Sequence, residues 1–321
     1  MRVCLMIEGQ EGVTWDDWMR LARLVEHHGL EGLFRSDHYS AIVRPHADAL
    51  DAWATLAGLA AITKRIRLGA LVSPATFRHP SVLARMAATV DQISAGRVEV
   101  GMGSGWYERE HVENGFPFLD AKARFDLFAE QVEVVVRSWT EEGFEHEGAA
   151  YRLQGQTALP RPFEQPHPPL VLGGTVKSRF AALAARYATE VNTLGASNDE
   201  LRERKERLDR ACEEAGRDPD TLGFSVMTSC FLGADGDEAV ERVRRFLHVR
   251  GGDDDAEALL AERRERWLAG TVEEVAERIE EVRALGVTRV FLQHLNHADD
   301  EMVALIGNRL MPLVASLQSR P

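Results

Sequence analysis

Short apolar and β-branched runs alternate along the whole chain with longer stretches in which apolar residues recur every three to four positions. A parallel sheet covered by helices writes this pattern. Its strands are buried on both faces and read as continuous apolar runs, while each covering helix shows one apolar stripe. Eight strands are predicted: VCLMIE at Val3–Glu8, GLEGLFRS at Gly29–Ser36, RIRLGALV at Arg65–Val72, RVEVGMG at Arg97–Gly103, PLVLGG at Pro169–Gly174, TEVNTL at Thr189–Leu194, LGFSVMTSCFL at Leu222–Leu232 and TRVFLQHL at Thr288–Leu295. Helix boundaries are signalled between them. Thr14 precedes WDDWMRLARLVEHHG, and Thr271 with Glu274 makes a capping box before VAERIEEVRALG. Gly29 and Gly286 stand where a helix ends in the left-handed conformation.

Such an alternation builds either a closed α/β barrel, a (β/α)8 TIM barrel with insertions, or an open doubly wound sheet. The dinucleotide fingerprint of the open sheet is missing, because in GMGSGW Trp106 occupies the place of the third glycine of G-x-G-x-x-G. The closed barrel is expected, as a single domain over residues 1–321. That length exceeds the ~250 residues typical of the fold, so the surplus goes into excursions at about 104–120, 143–168 and 249–268. The second is rich in proline, carries Phe144, Tyr151 and Phe163, and reads as an ordered cover over the barrel mouth. The third, with its GGDDD start and its ERRER run, reads as a solvated helix or a flap.

Composition then removes whole classes of function. A formal net charge of -13 disfavours nucleic acid and acidic membrane surfaces as partners. No apolar run approaches the ~20 residues of a membrane span, and the start MRVCLMIEG lacks the basic region and cleavage site of a signal peptide, so a cytoplasmic location is expected. Cys4, Cys212 and Cys230 are too far apart for zinc or redox pairs and read as ordinary thiols. There is no HExxH, nucleophile elbow or CxxC, and His294 and His297 find no HxH on the first strand, so no metal is expected. What remains is organic cofactor chemistry on a small-molecule substrate.

Barrels of this kind place reacting groups at the carboxyl ends of their strands. After the second strand stands His38, whose imidazole titrates near neutrality and suits proton transfer, although a histidine hydrogen-bonded in a loop would look the same. Asp37 points the other way on an extended segment and can instead hold Arg35 or a backbone amide. His28, His46 and His79 are weaker candidates. Gly101, Gly103 and Gly105 let the backbone approach something large and flat, or simply pack closely, and Ser104 can donate into the same space. In PLVLGGTVKSRF a strand ends at Gly173 and Gly174 and passes through Thr175, Val176 and Lys177 into a helix. Free amides, a hydroxyl and cations meet there, which suits an anion such as phosphate, with a plain capped helix as the alternative.

As a set, these segments resemble the bacterial luciferase-like monooxygenase superfamily, and within it the oxidoreductases that depend on coenzyme F420. The resemblance covers nearly the whole chain. It rests on GLFRSDHY at Gly32–Tyr39, the long block RLGALVSPATFRHPSVLARMAATVDQISAGRVEVGMGSGWYEREH at Arg67–His111, PPLVLGGT at Pro168–Thr175, and GVTRVFLQHL near the end. It implies a deazaflavin across the strand ends that exchanges hydride with a small organic substrate. It further implies a phosphate-bearing tail near Gly173, Gly174, Thr175 and Lys177, His38 beside the reactive face, and a non-prolyl cis peptide at Leu71–Val72 behind the ring. Gly103, Gly105 and Trp106 are then expected near the ring, Asp37 and Asn192 among the cofactor-binding residues, and a homodimer as the assembly. One position departs from the pattern. Where sugar-phosphate dehydrogenases of this branch carry a glutamate proposed as proton donor, this chain has Ser104, with Glu108 a turn later, so both enter as catalytic candidates and no sugar phosphate is assigned. Two other readings stand beside this one: an FMN-dependent monooxygenase using reduced flavin and oxygen, its phosphate on the same GGT turn, and a cofactor-binding barrel without turnover, which loss of the ring-facing histidine would favour.

Overall fold

The computed structural model describes residues 1–318 except Pro45 and Asp253, so Asp253 of the acidic run lies outside the described residues. All eight expected strands form: β1 (Arg2–Ile7), β2 (Gly32–Arg35), β3 (Arg67–Pro74), β4 (Val98–Gly103), β5 (Leu170–Gly173), β6 (Glu190–Leu194), β7 (Gly223–Gly233) and β8 (Arg289–Gln293). They pair in parallel in chain order, and the ring closes through Leu5↔Leu292 between β1 and β8. A further strand at Leu268–Thr271 lies outside the ring, on the carboxyl half of β7. The helix signals hold as well: Thr14 with Asp17 and Thr271 with Glu274 both form capping boxes.

Burial on two faces explains why the strands read as apolar runs. Val3, Leu5 and Ile7 of β1 face outward onto Trp18, Leu21 and Val25 of the helix Trp15–His27. The intervening Cys4 and Met6 face the barrel axis, where they meet Phe34, Leu71, Val171 and Phe291. Below this layer, at the amino ends of the strands, Arg289 is only 1% exposed. Its guanidinium donates to Glu99 at 2.6 and 2.9 Å and to Glu190 at 3.0 Å, and lies 4.6 Å from the centre of the Phe291 ring. Burial alone would lower the pKa of this cation, but the two carboxylates override it and hold the charge. Arg67 at 2.6 Å from Glu99 and Arg2 at 2.8 Å from Glu190 extend the cluster outward.

The second excursion departs from expectation. Residues Phe144–Glu147 and Arg152–Gln156 form a hairpin on the outer side of the helix Ala121–Thr140, through Phe144, Leu153 and Val134. Glu130 of that helix accepts the backbone N–H groups of Ala150 and Tyr151 at the hairpin tip. The proline-rich return runs past the carboxyl ends of two helices, where Arg161 donates to the carbonyl of Trp139 at 2.7 Å and the N–H of Glu164 donates to Asp91 at 2.9 Å. The excursion approaches the mouth at Tyr151, whose ring stands 5.1 Å from that of His79 after β3. A helix-to-strand connection must end where the next strand begins, which is the opposite end of the barrel. The third excursion holds the helix Ala256–Arg263.

Candidate active site

His38 leaves the end of β2 with its ring turned to the barrel mouth, and its Nδ1 lies 2.7 Å from Oε1 of Glu110. The other carboxylate oxygen of Glu110 accepts the N–H of Tyr39 at 3.0 Å. Glu110 is fully buried, so this pair sits in a poorly solvated place where charge interactions are strong. Burial pulls the His38 pKa down. The hydrogen bond and charge of Glu110 outweigh it, with Glu8 and Asp37 adding to them, and the net result is a raised pKa. Among the described residues, Nε2 of His38 has no protein partner.

The local sequence explains how Glu110 arrives there. Gly105 turns the chain at φ +75, with Thr76 so close that a Cβ would lie 2.9 Å from its hydroxyl. The short helix Glu108–Asn114 follows. Successive residues on a helix are rotated by about 100°, so Glu108 and Glu110 cannot face the same way. His111 settles which turns inward: its Nε2 lies 2.7 Å from the Thr76 hydroxyl and its Nδ1 2.7 Å from the Tyr107 carbonyl, pinning one face of the helix to the barrel. Glu110 and His111 are buried, and Glu108 is exposed. The structure therefore places Glu108 away from His38, while Ser104, just past β4, is partly exposed and without a hydrogen-bonded side chain among the described residues.

Asp37 is closed off. It is 2% exposed, accepts from Arg78 at 2.6 and 3.1 Å, and accepts the hydroxyl of Ser73 at 2.6 Å, which in turn accepts the Trp53 indole N–H at 3.0 Å. Its side chain thus forms a buried ion pair that ties the end of β2 to the loop after β3. Phe116 and Phe118 are also turned to packing: Phe116 meets Phe77 at 4.8 Å and Phe118 meets His111 at 5.0 Å between ring centres. Trp106 stays 64% exposed with its ring 6.0 Å from that of His38.

Across the mouth, the peptide bond between Leu71 and Val72 is cis, and the pairing of β3 with β4 shifts register there. Leu71 joins the barrel interior, and Val72 wedges over the neighbouring strands. A Cβ on Gly103 would lie 2.6 Å from a Val72 methyl, and one on Gly173 would lie 2.8 Å from the other. These glycines make room first for Val72, which leaves a bare backbone floor with one apolar knob in it. Next to that floor begins the helix Ser178–Tyr187, whose N-terminus has no side-chain cap. Gly174, Thr175, Lys177, Ser178 and Arg179 are exposed there, so first-turn amides and cations are presented together. The backbone N–H of Gly174 donates to the Asn192 carbonyl at 3.2 Å, whereas the Asn192 side chain turns down the barrel and donates to Ser225 at 2.9 Å.

The fourth side of the mouth was not foreseen. Glu8, just past β1, accepts from Gln293 at 2.5 Å and from Gln10 at 3.0 Å, and Gln293 in turn accepts the hydroxyl of Ser229 at 3.1 Å. Two amide dipoles thus point their positive ends at one carboxylate. Glu110 and Glu8 both needed the fold to be found. The only available signal for Glu110 was that one of two glutamates two residues apart must face inward. Among the described residues no group of three or more His, Cys, Asp or Glu side chains is placed to hold a metal ion, and no helix is long and apolar enough to cross a membrane.

Comparison with known proteins agrees with this geometry. A family model described as luciferase-like monooxygenase matches residues 2–289. Over 96% of this chain and 91% of its own length, an FMNH2-dependent dimethylsulfone monooxygenase of Pseudomonas putida is 25% identical. An F420-dependent glucose-6-phosphate dehydrogenase of Microbacterium testaceum is 27% identical over 90% of each chain. Among solved structures, the monooxygenase RslO1 from Streptomyces bottropensis superposes with a TM-score of 0.83 and 25% identity, covering 97% of this chain and 99% of its own.

Proposed function

The chain belongs to the luciferase-like monooxygenase family, and from that premise we propose that it is a coenzyme F420-dependent oxidoreductase acting on a small organic substrate. The observation that carries this reading is the buried His38–Glu110 pair at 2.7 Å, with Nε2 of His38 left open to the mouth. A deazaflavin, when bound, would supply the hydride donor or acceptor at its C5. The residues present suit such a group. The uncapped start of the helix Ser178–Tyr187, with Thr175 and Lys177, would hold its phosphate. Val72 over Gly103 and Gly173 would back a flat ring, with Gly105 and Trp106 at its edge.

In this reading His38 holds or moves a proton at Nε2. Glu110 keeps the imidazole oriented and favours its charged form, so His38 serves as an acid when substrate is reduced and as a base, once deprotonated, when substrate is oxidised. Asp37 with Arg78 acts one step back, by fixing the backbone from which His38 springs. A net charge of -13 fits a small molecule better than nucleic acid as the partner.

The second reading is an FMN-dependent monooxygenase, favoured by likeness to the Pseudomonas enzyme over 96% of the chain. Fluorescence-quenching titrations with F420 and with FMN separate the two. Tighter binding of F420, and reduction or oxidation of it by a panel of enones, imines and alcohols, is the expected result. Stoichiometric FMN in the purified protein, together with oxygen consumption in the presence of NADH and a flavin reductase, would overturn it.

A further inference from the structure

Of the six tryptophans in the chain, Trp18, Trp53 and Trp139 are buried in the core, and Trp106 is the most exposed. A large apolar ring left in water at the edge of a reacting site is a cue for binding, because covering it is favourable. The chain on either side of it is not loose. The carbonyl of Gly105 accepts Nε of Arg124 at 3.1 Å, and the carbonyl of Tyr107 is held by Nδ1 of His111 at 2.7 Å. The Tyr107 hydroxyl donates to the carbonyl of Ala41 at 3.3 Å. Trp106 therefore stands on a backbone pinned on both sides, and its own indole N–H has no hydrogen-bond partner among the described residues. A ring held this way can receive a ligand with little ordering of the protein.

The neighbouring rings decide what shape of ligand suits it. The plane of Trp106 is inclined by 34° to that of Tyr107, with the centres 5.3 Å apart. His38 stands at 82° to both, 6.0 Å from Trp106 and 6.1 Å from Tyr107. The three rings thus make a corner, with indole and phenol along one wall and the imidazole along the other. A flat ring laid on the indole is turned edge-on to His38, so a substituent in its own plane can be aimed at the imidazole. A puckered ring has no flat face to lay there and gains less from the indole quadrupole. The other aromatic side chains of this region, Phe77, Phe116 and Phe118, are already engaged with one another or with His111.

We propose that Trp106 is the platform on which a flat aromatic ring of the substrate stacks, with the group attached to that ring aimed at His38, so that Trp106 sets a preference for aryl over alkyl compounds. Calling the bound molecule a substrate rests on the mouth being the catalytic site, as proposed above. The stacking itself does not. A cofactor ring whose edge lies beside Trp106 leaves the indole face to this second flat group.

Calorimetric titration of the full chain without cofactor, using acetophenone and the matched probe cyclohexyl methyl ketone, tests the platform. The aryl ketone should bind about fivefold more tightly, the size expected of one aromatic pair. Trp106→Leu should abolish that preference, and Trp106→Phe, which keeps a smaller flat face, should restore part of it. Because Trp106 is largely exposed, W106L should unfold in urea at the midpoint of the parent. In protein carrying 5-fluorotryptophan, the resonance that disappears in W106F should move on adding acetophenone and move much less on adding the cyclohexyl ketone. Equal binding of the two ketones, a preference that survives in W106L, or an unmoved Trp106 resonance would overturn the proposal. So would a W106L chain that loses affinity for F420 and keeps the aryl preference. A chain that shows the preference and binds FMN in place of F420 keeps this inference and loses the cofactor reading, so either can fail without the other.

Discussion

At the amino-terminal end of the barrel Arg289 meets Glu99 and Glu190, the aromatic faces of Phe34 and Phe291 close over it, and the whole cluster is nearly inaccessible. The carboxyl end, only a few residues along the same strands, carries charge too, but leaves valences open. Among the described residues, His38 has one carboxylate partner and one nitrogen without a partner, Glu8 lines a cavity, and Nε2 of His294 has no partner. Both ends put ionisable groups in a low-dielectric barrel. Where the buried charges are paired with one another, they fix the fold. Where one is left unmatched, a ligand or a proton can use it.

The sharpest way to test that contrast is to delete one group at each end. His38→Ala should lower turnover by about 10²–10⁴-fold, the usual contribution of a positioned acid or base, while leaving urea denaturation almost unchanged. A loss under tenfold, measured at saturating F420, would remove His38 from the chemistry. Arg289→Met should do the reverse. It takes from Glu99 and Glu190 the cation they share inside the barrel, leaving them only Arg67 and Arg2 on the outer side, and should cost about 3–5 kcal/mol in urea denaturation, with the activity per folded molecule retained. Pairing it with Glu99→Gln and Glu190→Gln should recover much of that loss.

A smaller effect is expected in the layer between the ends. Gly103→Ala places a Cβ 2.6 Å from a Val72 methyl and should cost about 1–3 kcal/mol by overpacking. Val72→Ala in the same chain should relieve it. The mildest change is Glu110→Gln, which keeps a hydrogen bond to both Tyr39 and His38 but removes the charge. His38 should then titrate lower than in the parent, as read by nitrogen-edited NMR. The sign of the stability effect follows. A raised pKa in the fold means that the pair stabilises fully below about 6.5, the ordinary histidine value, and loses that contribution as pH climbs through the raised value. The gap between parent and E110Q should therefore be wider at pH 6 than at pH 9, and a gap that grows with pH would contradict the assignment.

How much of this was legible in the chain follows from the same physics. Two-sided burial stamps an apolar run on each barrel strand, so all eight could be read. The hairpin strands FEHE and RLQGQ are polar and mostly exposed, and LAGT is short and runs straight into a helix, so none carries a period to detect. His38 and the GGT turn were readable because chemistry and position coincide in one short segment. The ion pair of Asp37 was not readable, because Arg78 lies 41 residues away and announces nothing locally. That Glu110 faces His38 was not readable, because a helix face cannot be oriented until His111 and Thr76 are seen to meet.

Val72 has a consequence for how this barrel can change over generations. Gly103 and Gly173 come from different strands, yet a methyl on either meets the same side chain, while a Cβ on Gly101 would run into the backbone carbonyl of Ala70. Substitutions at these places are thus contingent on one another. Position 72 must shrink before 103 or 173 can grow, and a lineage that took the steps in the other order would pass through a disfavoured intermediate. Position 101 has no such escape, and should stay glycine in every descendant that keeps this strand pairing.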